Sequence, residues 1–269
     1  MINQRLVLKD AQRIVVKVGT STLTHANGKM NLGSMERVAL ALSELMNENK
    51  EVILVSSGAI GVGMGKFNFR RRPLGMGIKQ ALAAVGQCEL MNIYSRLFST
   101  YNHTVPQILL TKTDVDDEAK RKNLMNTFNS LLDFGVLPIV NENDSVSVDE
   151  IKSLTMFGDN DTLSAVVSKL VGADLLIILS DIDGLYDSDP RENKDCKLIS
   201  VVDNLDSKIS RCAGGAGTSL GTGGMVTKLK AAGIATGAGV NVVVANGEDP
   251  MIILNILKGD ETGTLFVKK

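Results

Sequence analysis

The sequence predicts an α/β protein, a three-layer α/β/α sandwich built around a mainly parallel central sheet. Short apolar, β-branched runs alternate along the chain with stretches whose apolar residues recur at helical spacing. The runs lack a period-two alternation, which suits strands that are buried on both faces by helices. No repeat or low-complexity linker interrupts the pattern, so we expect the 269 residues to form one domain with two lobes.

The elements follow in a regular order. Apolar runs predict six strands, at residues 13–18, 51–55, 105–110, 136–140, 173–179 and 241–245. Apolar spacing of three and four predicts helices between them, at residues 32–46, 78–85, 123–134, 161–171 and 225–236. The alternation favours a doubly wound sheet, in which ligands bind at the carboxyl ends of the strands.

Composition excludes several classes of protein. The chain has 29 Lys+Arg, 30 Asp+Glu and only 4% aromatic residues, which disfavours a nucleic-acid-binding module. His25 and His103 are far apart in sequence, so a His-rich metal site is not expected. Three cysteines without a CxxC pair, no signal-peptide core and no membrane-length apolar run predict a cytoplasmic protein without a membrane segment.

Glycines cluster at three places where backbone amides are able to bind an anion. Gly19 follows the first predicted strand, a second cluster from Gly58 to Gly65 follows the second strand, and a third at 214–224 precedes a helix. Glycines also serve simply to make tight turns. Neither G-x-x-x-x-G-K-[ST] nor G-x-G-x-x-G is matched, so a P-loop or a standard dinucleotide site is not expected.

Charged and polar residues stand at predicted strand and helix ends. Lys17 lies inside an apolar strand, either as a phosphate-contacting cation or as an edge-strand lysine reaching water. The run 141–144 (NEND) follows a strand and 158–161 (GDND) precedes a helix, where an Asx turn and an N-cap use some of these side chains. Lys228 near a helix start favours an anionic partner.

Seven motifs together resemble the amino acid kinase family. They are V-K-V-G-T-S, V-S-S-G-A-I, K-Q-A-L-A-A-V-G-Q, V-N-E-N-D, G-D-N-D-x-L-S-A, D-x-D-G-L-Y-x-x-D-P and G-T-G-G-M-x-T-K, in order from Lys17 to Lys228. The third and fourth motifs narrow the resemblance to the members that phosphorylate glutamate. It implies transfer of a phosphoryl group from ATP, with Mg²⁺, to the γ-carboxylate of L-glutamate, as the first step of proline biosynthesis.

The resemblance also implies roles for individual residues. Lys17 and Lys228 would stabilise the transferred phosphoryl group, and Asp161 would orient both lysines. The residues implied for glutamate binding are Ser57, Gly58, Ala59, Asp144 and Asn160. Those implied for nucleotide binding are Lys17, Ser180, Asp181, Tyr186, Thr222, Gly223, Gly224, Met225 and Lys228. Glutamate would bind in an N-terminal lobe of about residues 1–170, and ATP in a C-terminal lobe of about 171–269. Mg²⁺ is expected to be held mostly by the ATP phosphates and water, with few protein ligands, and no residue is named as one.

The family further implies a homo-oligomer (dimer or tetramer), possible feedback inhibition by proline and possible contact with a glutamyl-phosphate reductase. The expected form is a short one, without the C-terminal PUA domain of many relatives. The alternatives are a sibling kinase acting on acetylglutamate, aspartate, carbamate or UMP, and a non-catalytic amino-acid-binding regulator. The basic segment 64–77 is either a solvated loop or a lid or subunit contact near the glutamate site.

Overall fold

In a computed structural model, residues 4–25, 29–69, 71–146, 157–190, 193, 195–212 and 224–269 are described. These residues form eight strands: β1 (Arg13–Lys17), β2 (Glu51–Val55), β3 (Gln107–Leu110), β4 (Ile139–Glu142), β5 (Leu175–Ser180), β6 (Val201–Val202), β7 (Asn241–Asn246) and β8 (Thr264–Phe266). All six predicted strands are therefore present. The two that the sequence analysis missed, β6 and β8, are two and three residues long.

Ten α-helices are described: α1 (Thr20–Leu23), α2 (Leu32–Asn47), α3 (Ala59–Lys66), α4 (Met76–Thr100), α5 (Lys112–Asp116), α6 (Glu118–Asp133), α7 (Asn160–Val171), α8 (Ser207–Cys212), α9 (Met225–Thr236) and α10 (Ile252–Leu257). Short 3₁₀ helices span Gln4–Asp10 and Asp144–Val146. The five predicted helices are all found, and the one predicted at 78–85 is part of the 25-residue helix α4. None of the described helices is long and apolar enough to span a membrane.

The described strands form one sheet in the order β3-β4-β2-β1-β5-β7-β8-β6. Pairing is parallel from β3 to β7, and only the β7–β8 pair is antiparallel. Strand β1 lies in the middle of the sheet, between β2 and β5. The carboxyl ends of β1, β2, β4 and β5 therefore meet at one edge, where α/β sheets bind ligands.

Both faces of the sheet are buried, which confirms the three-layer prediction. In β1, the side chains of Ile14 and Val16 belong to one apolar core, and that of Val15 belongs to the other. Helix α2 packs into the first core, and helices α7 and α9 pack into the second. Strands buried on both sides have no polar face to alternate with an apolar one, which explains the continuous apolar runs.

Three of the four glycines of the second cluster, Gly61, Gly63 and Gly65, lie within helix α3, whereas the sequence analysis considered an anion-binding segment or a tight turn here. Only Gly58, with φ of +93°, is in the left-handed region, and it precedes helix α3. Gly63 of α3 and Gly86 of α4 are the points where these two helices touch, because a Cβ on either would collide with backbone atoms of the other helix. Within this cluster Gly63 therefore serves close helix packing, whereas Gly58 and Gly61 line the cavity described below.

The N-terminal segment is fixed to the far edge of the sheet by one side chain. Arg5 is only 1% exposed, and its guanidinium donates hydrogen bonds of 2.7 Å to the carbonyl oxygens of Ser200, Thr262 and Gly263. A fourth bond of 3.2 Å reaches the carbonyl of Asp260. Since these carbonyls flank β6 and β8, Arg5 holds the short strands beside the N-terminal turn.

Candidate active site

A cavity of about 360 Å³ opens at the carboxyl edge of the sheet. Its walls come from the ends of β1, β4 and β5, from the turn between β2 and α3, and from the first turns of α7 and α9. Of the described residues predicted for the site, all but Tyr186, Gly224 and Met225 line this cavity. Those that do are Lys17, Ser57, Gly58, Ala59, Asp144, Asn160, Asp161, Ser180, Asp181 and Lys228.

Two lysines and one carboxylate form the charged centre of the cavity. The Nζ atom of Lys17 lies 2.7 Å from Oδ1 of Asp161, and the Nζ atom of Lys228 lies 3.2 Å from Oδ2. Thr227 adds a hydrogen bond of 3.0 Å to Oδ2. Burial raises the pKa of Asp161, but the two ammonium groups outweigh it and hold this pKa below its usual value. The carboxylate is therefore ionised at neutral pH.

The fold explains why two buried lysines converge on Asp161. Lys17 ends the central strand β1 and is 8% exposed, which rules out the edge-strand interpretation. Lys228 is 4% exposed and lies in the first turn of α9. Asp161 is in the first turn of α7, which begins after Asp159, whose side chain accepts a hydrogen bond from the Thr162 amide at 2.7 Å. The predicted N-cap is thus Asp159, and it leaves Asp161 available for the lysines.

A second group of side chains lies where β2, β4 and α7 meet. The Nδ2 atom of Asn160 donates to the carbonyl oxygen of Ser56 at 2.9 Å, to Oγ of Ser57 at 2.9 Å and to Oδ1 of Asn141 at 3.1 Å. Asn141 is buried near the end of β4, two residues beyond Ile139, where that strand begins. Ser57 and Asn160, predicted from motifs a hundred residues apart, are therefore direct neighbours.

Three carboxylates lie beside this group. Asp144 follows β4 in a 3₁₀ turn, and burial raises its pKa while the Arg72 guanidinium lowers it. Burial also raises the pKa of Glu142 to about 7, and the negative charges of Asp144 and Asp159 add to the shift. Oε1 of Glu142 accepts a hydrogen bond of 2.9 Å from the amide of Phe157. The sequence analysis predicted that β4 ends at Val140, but the strand continues to Glu142 because Asn141 and Glu142 pair with Leu109 and Leu110 of β3.

The residues predicted for the nucleotide are only partly brought together. Ser180 and Asp181, at the end of β5, also line a neighbouring cavity of about 260 Å³, which extends to Asn246, Gly247 and Glu248. Tyr186 lines neither cavity, and its hydroxyl donates to Oδ2 of Asp183 at 2.9 Å. Gly224 precedes α9, and Met225 packs against an apolar core. Thr222 and Gly223 lie outside the described residues.

Several cavity residues were not predicted as site residues. Thr20 and Ser21 follow the first glycine in α1, Arg72 belongs to the basic segment, and Lys79 lies in α4. The position of Thr20 and Ser21 directly after V-K-V-G was a usable signal, and so was that of Lys79, which begins the motif K-Q-A-L-A-A-V-G-Q. Among the described residues, no group of three or more His, Cys, Asp or Glu side chains is arranged to hold a metal ion.

Comparisons with known proteins agree with this architecture. The family model described as "Amino acid kinase family" matches residues 12–246. A glutamate 5-kinase of Clostridium perfringens is 56% identical over 98% of both chains. A glutamate 5-kinase of Listeria innocua is 51% identical over 97% of this chain and 95% of the relative.

The fold also matches a solved structure of low sequence identity. Carbamate kinase from Giardia lamblia bound to AMP-PNP superposes with a TM-score of 0.68 at 17% identity, over 97% of this chain and 100% of that one. The parallel sheet, the lysines that converge at its carboxyl edge and these matches over nearly the whole length lead to one conclusion: the chain belongs to the amino acid kinase family.

Proposed function

We propose that this protein is an ATP-dependent glutamate 5-kinase, which phosphorylates the γ-carboxylate of L-glutamate to L-glutamyl 5-phosphate. The observation that carries the proposal is the high identity, over nearly full length, to relatives that bear this name. The cavity supports it, because its lining combines a cationic centre with a cluster of amide, hydroxyl and carboxylate groups.

The proposed reaction needs no general base. The acceptor is a carboxylate with an unperturbed pKa of about 4.3, which is already ionised at neutral pH. Its oxygen attacks the γ-phosphorus of ATP, and the bond from that phosphorus to the β-phosphate oxygen breaks, releasing ADP. Neither His25 nor His103 lines the cavity, and the proposed reaction requires no histidine.

The difficulty of this step is electrostatic, because an anion must approach a polyanion. Lys17 and Lys228 carry two positive charges against the single negative charge of Asp161, which leaves the centre with a net positive charge for the phosphoryl oxygens. Asp161 holds the ammonium groups in place before substrate arrives, so little reorganisation is needed during transfer. We assign Lys17 and Lys228 to phosphoryl stabilisation and Asp161 to their orientation.

Glutamate is assigned to the group around Asn160. The Nδ2 atom of Asn160 is used by three protein acceptors, so its Oδ1 atom is the part of this amide left to accept a bond from the ligand. Ser57 accepts from Asn160 and therefore has its own hydroxyl proton to donate to a carboxylate. Asp144 supplies a negative charge for the α-ammonium group. Gly58 and Ala59 line the same wall.

The nucleotide is assigned to the other side of Lys17. Ser180 and Asp181 line both neighbouring cavities, and the segment from Thr222 to Lys228, with Tyr186, completes our proposal for ATP. Both carboxylate oxygens of Asp161 face lysines, so the described donor set fits a Mg²⁺ ion held by the triphosphate and water rather than by a protein cage. The ion would supply further charge neutralisation. This assignment places glutamate mainly on residues 1–170 and ATP mainly on 171–269.

The remaining family properties are part of the same proposal. We propose that the enzyme is cytoplasmic and acts as a homo-oligomer. Inhibition by proline and contact with a glutamyl-phosphate reductase belong to the same proposal and can be measured. Asp144 bears on the choice of acceptor, because acetylglutamate lacks the α-ammonium group that this carboxylate would bind.

The test is turnover with ATP, Mg²⁺ and an acceptor in the presence of hydroxylamine, which traps an acyl phosphate as a hydroxamate. We expect hydroxamate from glutamate. Release of ADP is measured in parallel with acetylglutamate, aspartate, carbamate and UMP. Activity with one of these and none with glutamate would replace the proposed acceptor, and no activity with any of them would favour a non-catalytic regulator.

A further inference from the structure

We propose that Gln87 is a positioning residue for the glutamate site, acting through Asn141 on Asn160. The inference rests on the proposed function and adds a residue that does not line the cavity. Gln87 lies in helix α4, which packs behind the strand ends that carry the substrate group. It is 8% exposed, so its amide lies almost entirely in the protein interior.

Three side-chain amides and one hydroxyl form a continuous chain of hydrogen bonds. Asn141 donates through Nδ2 to Oε1 of Gln87 at 2.9 Å. Oδ1 of Asn141 then accepts from Nδ2 of Asn160 at 3.1 Å and from the backbone amide of Glu142 at 2.9 Å. Asn160 in turn donates to Oγ of Ser57 at 2.9 Å. The chain runs from the interior of α4 to the cavity wall.

This chain of hydrogen bonds fixes the orientation of each side-chain amide, because it determines which neighbour faces the oxygen and which faces the nitrogen. An amide presents a donor at one end and an acceptor at the other, so the Gln87 oxygen accepts only from the nitrogen end of Asn141. With that nitrogen held, the oxygen of Asn141 faces Asn160 and accepts from its nitrogen. The oxygen of Asn160 is thereby left for the ligand. Gln87 thus selects the orientation of a group that we assign to the substrate.

The backbone beside Gln87 is placed by a contact that allows no variation. Gly86 touches helix α3 at Ala59 and Gly63, where a Cβ would not fit. The same face of α4 carries Tyr94, two turns on, whose hydroxyl lies 3.0 Å from Oγ of Ser56. Helix α4 therefore contacts the end of β4 through Gln87 and the turn after β2 through Tyr94.

Part of the Gln87 amide lies outside this chain. Its Nε2 atom is buried and has no hydrogen-bond partner among the described residues. A buried donor without a partner is costly, and an apolar residue of the same length would avoid that cost. The presence of an amide at this position is explained by the acceptor that it offers to Asn141.

The experiment compares Gln87→Met, which keeps the length of the side chain and removes the acceptor, with Gln87→Glu, which keeps an oxygen acceptor. Initial rates are measured against glutamate and against ATP. For Gln87→Met we expect the KM for glutamate to rise about tenfold, because one buried hydrogen bond is lost. The KM for ATP should change by less than about twofold. For Gln87→Glu we expect most of this rise to disappear, so that the KM for glutamate lies close to that of wild type.

Two controls separate positioning from stability. Tyr94→Phe removes the other polar contact from the same face of α4, and we expect it to lower the Tm without the selective rise in the KM for glutamate. Asn92→Leu replaces an exposed amide on the same helix and is expected to leave both KM values unchanged. If Gln87→Met does not fold, Gln87→Glu is compared with wild type by direct glutamate binding in calorimetry, with a Kd within about threefold of wild type expected.

The outcomes distinguish this inference from the proposed function. A wild-type enzyme that forms hydroxamate, together with a Gln87→Met variant whose two KM values are unchanged or rise equally, overturns the role of Gln87 alone. A Gln87→Glu variant that binds glutamate as weakly as Gln87→Met does, or far more weakly than wild type, also overturns it. A wild type that does not use glutamate overturns both.

Discussion

The ammonium group of Lys17 lies 2.7 Å from Oδ1 of Asp161, at the carboxyl end of the central strand. Both groups are buried, and Lys228 occupies the other oxygen of the same carboxylate at 3.2 Å. A buried ion pair is seldom a source of net stability, because desolvation offsets the attraction. Three charges that line the cavity at this position are better explained by the reaction that we propose.

Replacing Lys17 with methionine tests that explanation. Methionine preserves much of the side-chain length but cannot offset the charge that develops on the phosphoryl oxygens. We expect kcat to fall by about 10²–10³, as for removal of one electrostatic donor in other enzymes. The measurement is steady-state release of ADP with glutamate, with the Tm recorded for the same sample.

The matched control is Lys120→Met. Lys120 is also paired with a carboxylate, Oδ1 of Asp114 at 3.2 Å, but it lies on the surface and away from the cavity. We expect its kcat to equal that of wild type. A Lys17→Met enzyme with near-normal kcat contradicts the assignment.

Asp144→Asn is expected to act on substrate binding. The change removes the negative charge that we assign to the α-ammonium group of glutamate and keeps the size of the side chain. A hydrogen bond to a charged group contributes about 1.5–3 kcal/mol, so the KM for glutamate should rise by about ten- to a hundredfold. The KM for ATP should change far less.

Both constants are obtained from initial rates with the other substrate saturating. Asp116→Asn, at an exposed position in α5, is the control and should alter neither constant. Equal increases in the two KM values for Asp144→Asn would argue against a specific role in glutamate binding.

Gly86→Ala should destabilise the protein by forcing α3 and α4 apart. A methyl group at this position would overlap the carbonyl of Ala59 and lie 2.5 Å from the amide nitrogen of Gly63. Overpacking at such a contact costs about 1–3 kcal/mol of unfolding free energy. Urea unfolding measures the change directly.

Gly77 provides the matched comparison on the same helix. A Cβ at Gly77 would meet nothing within 4 Å, and alanine is the better helix former by about 1 kcal/mol. Gly77→Ala should therefore leave the unfolding free energy unchanged or raise it. If the two variants are equally stable, the close helix contact is not what requires glycine at position 86.

The raised pKa of Glu142 predicts a pH-dependent stability. The native state keeps this carboxyl protonated up to about pH 7, while the unfolded chain releases the proton near the ordinary value of 4.5. Unfolding between these values releases a proton, so the contribution of Glu142 to the unfolding free energy is largest below pH 4.5 and is lost as the pH rises to about 7. Asp161 has a lowered pKa, so its own contribution is lost only below the ordinary aspartate range.

Glu142→Gln removes the titrating group and keeps an oxygen that accepts from the Phe157 amide. We expect the Tm of this variant, relative to the Tm of wild type at the same pH, to increase as the pH rises from 4.5 to 7.5. The surface variant Glu44→Gln, in α2, should follow wild type. A Tm difference for Glu142→Gln that is independent of pH would show that burial does not perturb this carboxyl.

The fold could be predicted from the sequence where burial dictates composition. Strands β1, β2, β5 and β7 lie within the sheet and are covered on both faces, so their apolar runs were recognisable. Strands β6 and β8 are short, and they are held partly by Arg5, whose contacts lie almost the whole chain away. No local pattern carries that information.

The residues of the candidate site also fall into those that the sequence pattern could predict and those that it could not. Lys17, Asp161 and Lys228 stand out because a charge in an apolar strand or at a helix start needs a reason. Gln87 ends the motif K-Q-A-L-A-A-V-G-Q, but the role that we propose for it could not be recognised there, because that role depends on Asn141, 54 residues away, and on the direction of an amide. The helical position of Gly61, Gly63 and Gly65 was not predicted, because a helix that contains several glycines, one of them (Gly63) needed for close packing, resembles a turn in composition.

The hydrogen bonds from Arg5 to residues 260–263 also determine the order in which parts of the chain can fold during synthesis. A growing polypeptide exposes Arg5 long before the carbonyls in residues 260–263 that accept hydrogen bonds from its guanidinium, because these follow 255 to 258 residues later in the chain. Until then, the N-terminal turn has no partner for a cation that the finished protein buries. The segment around Arg5 therefore settles only after residues 260–263 have been made, and a protease should cut it readily in nascent chains stalled before them but not in released protein.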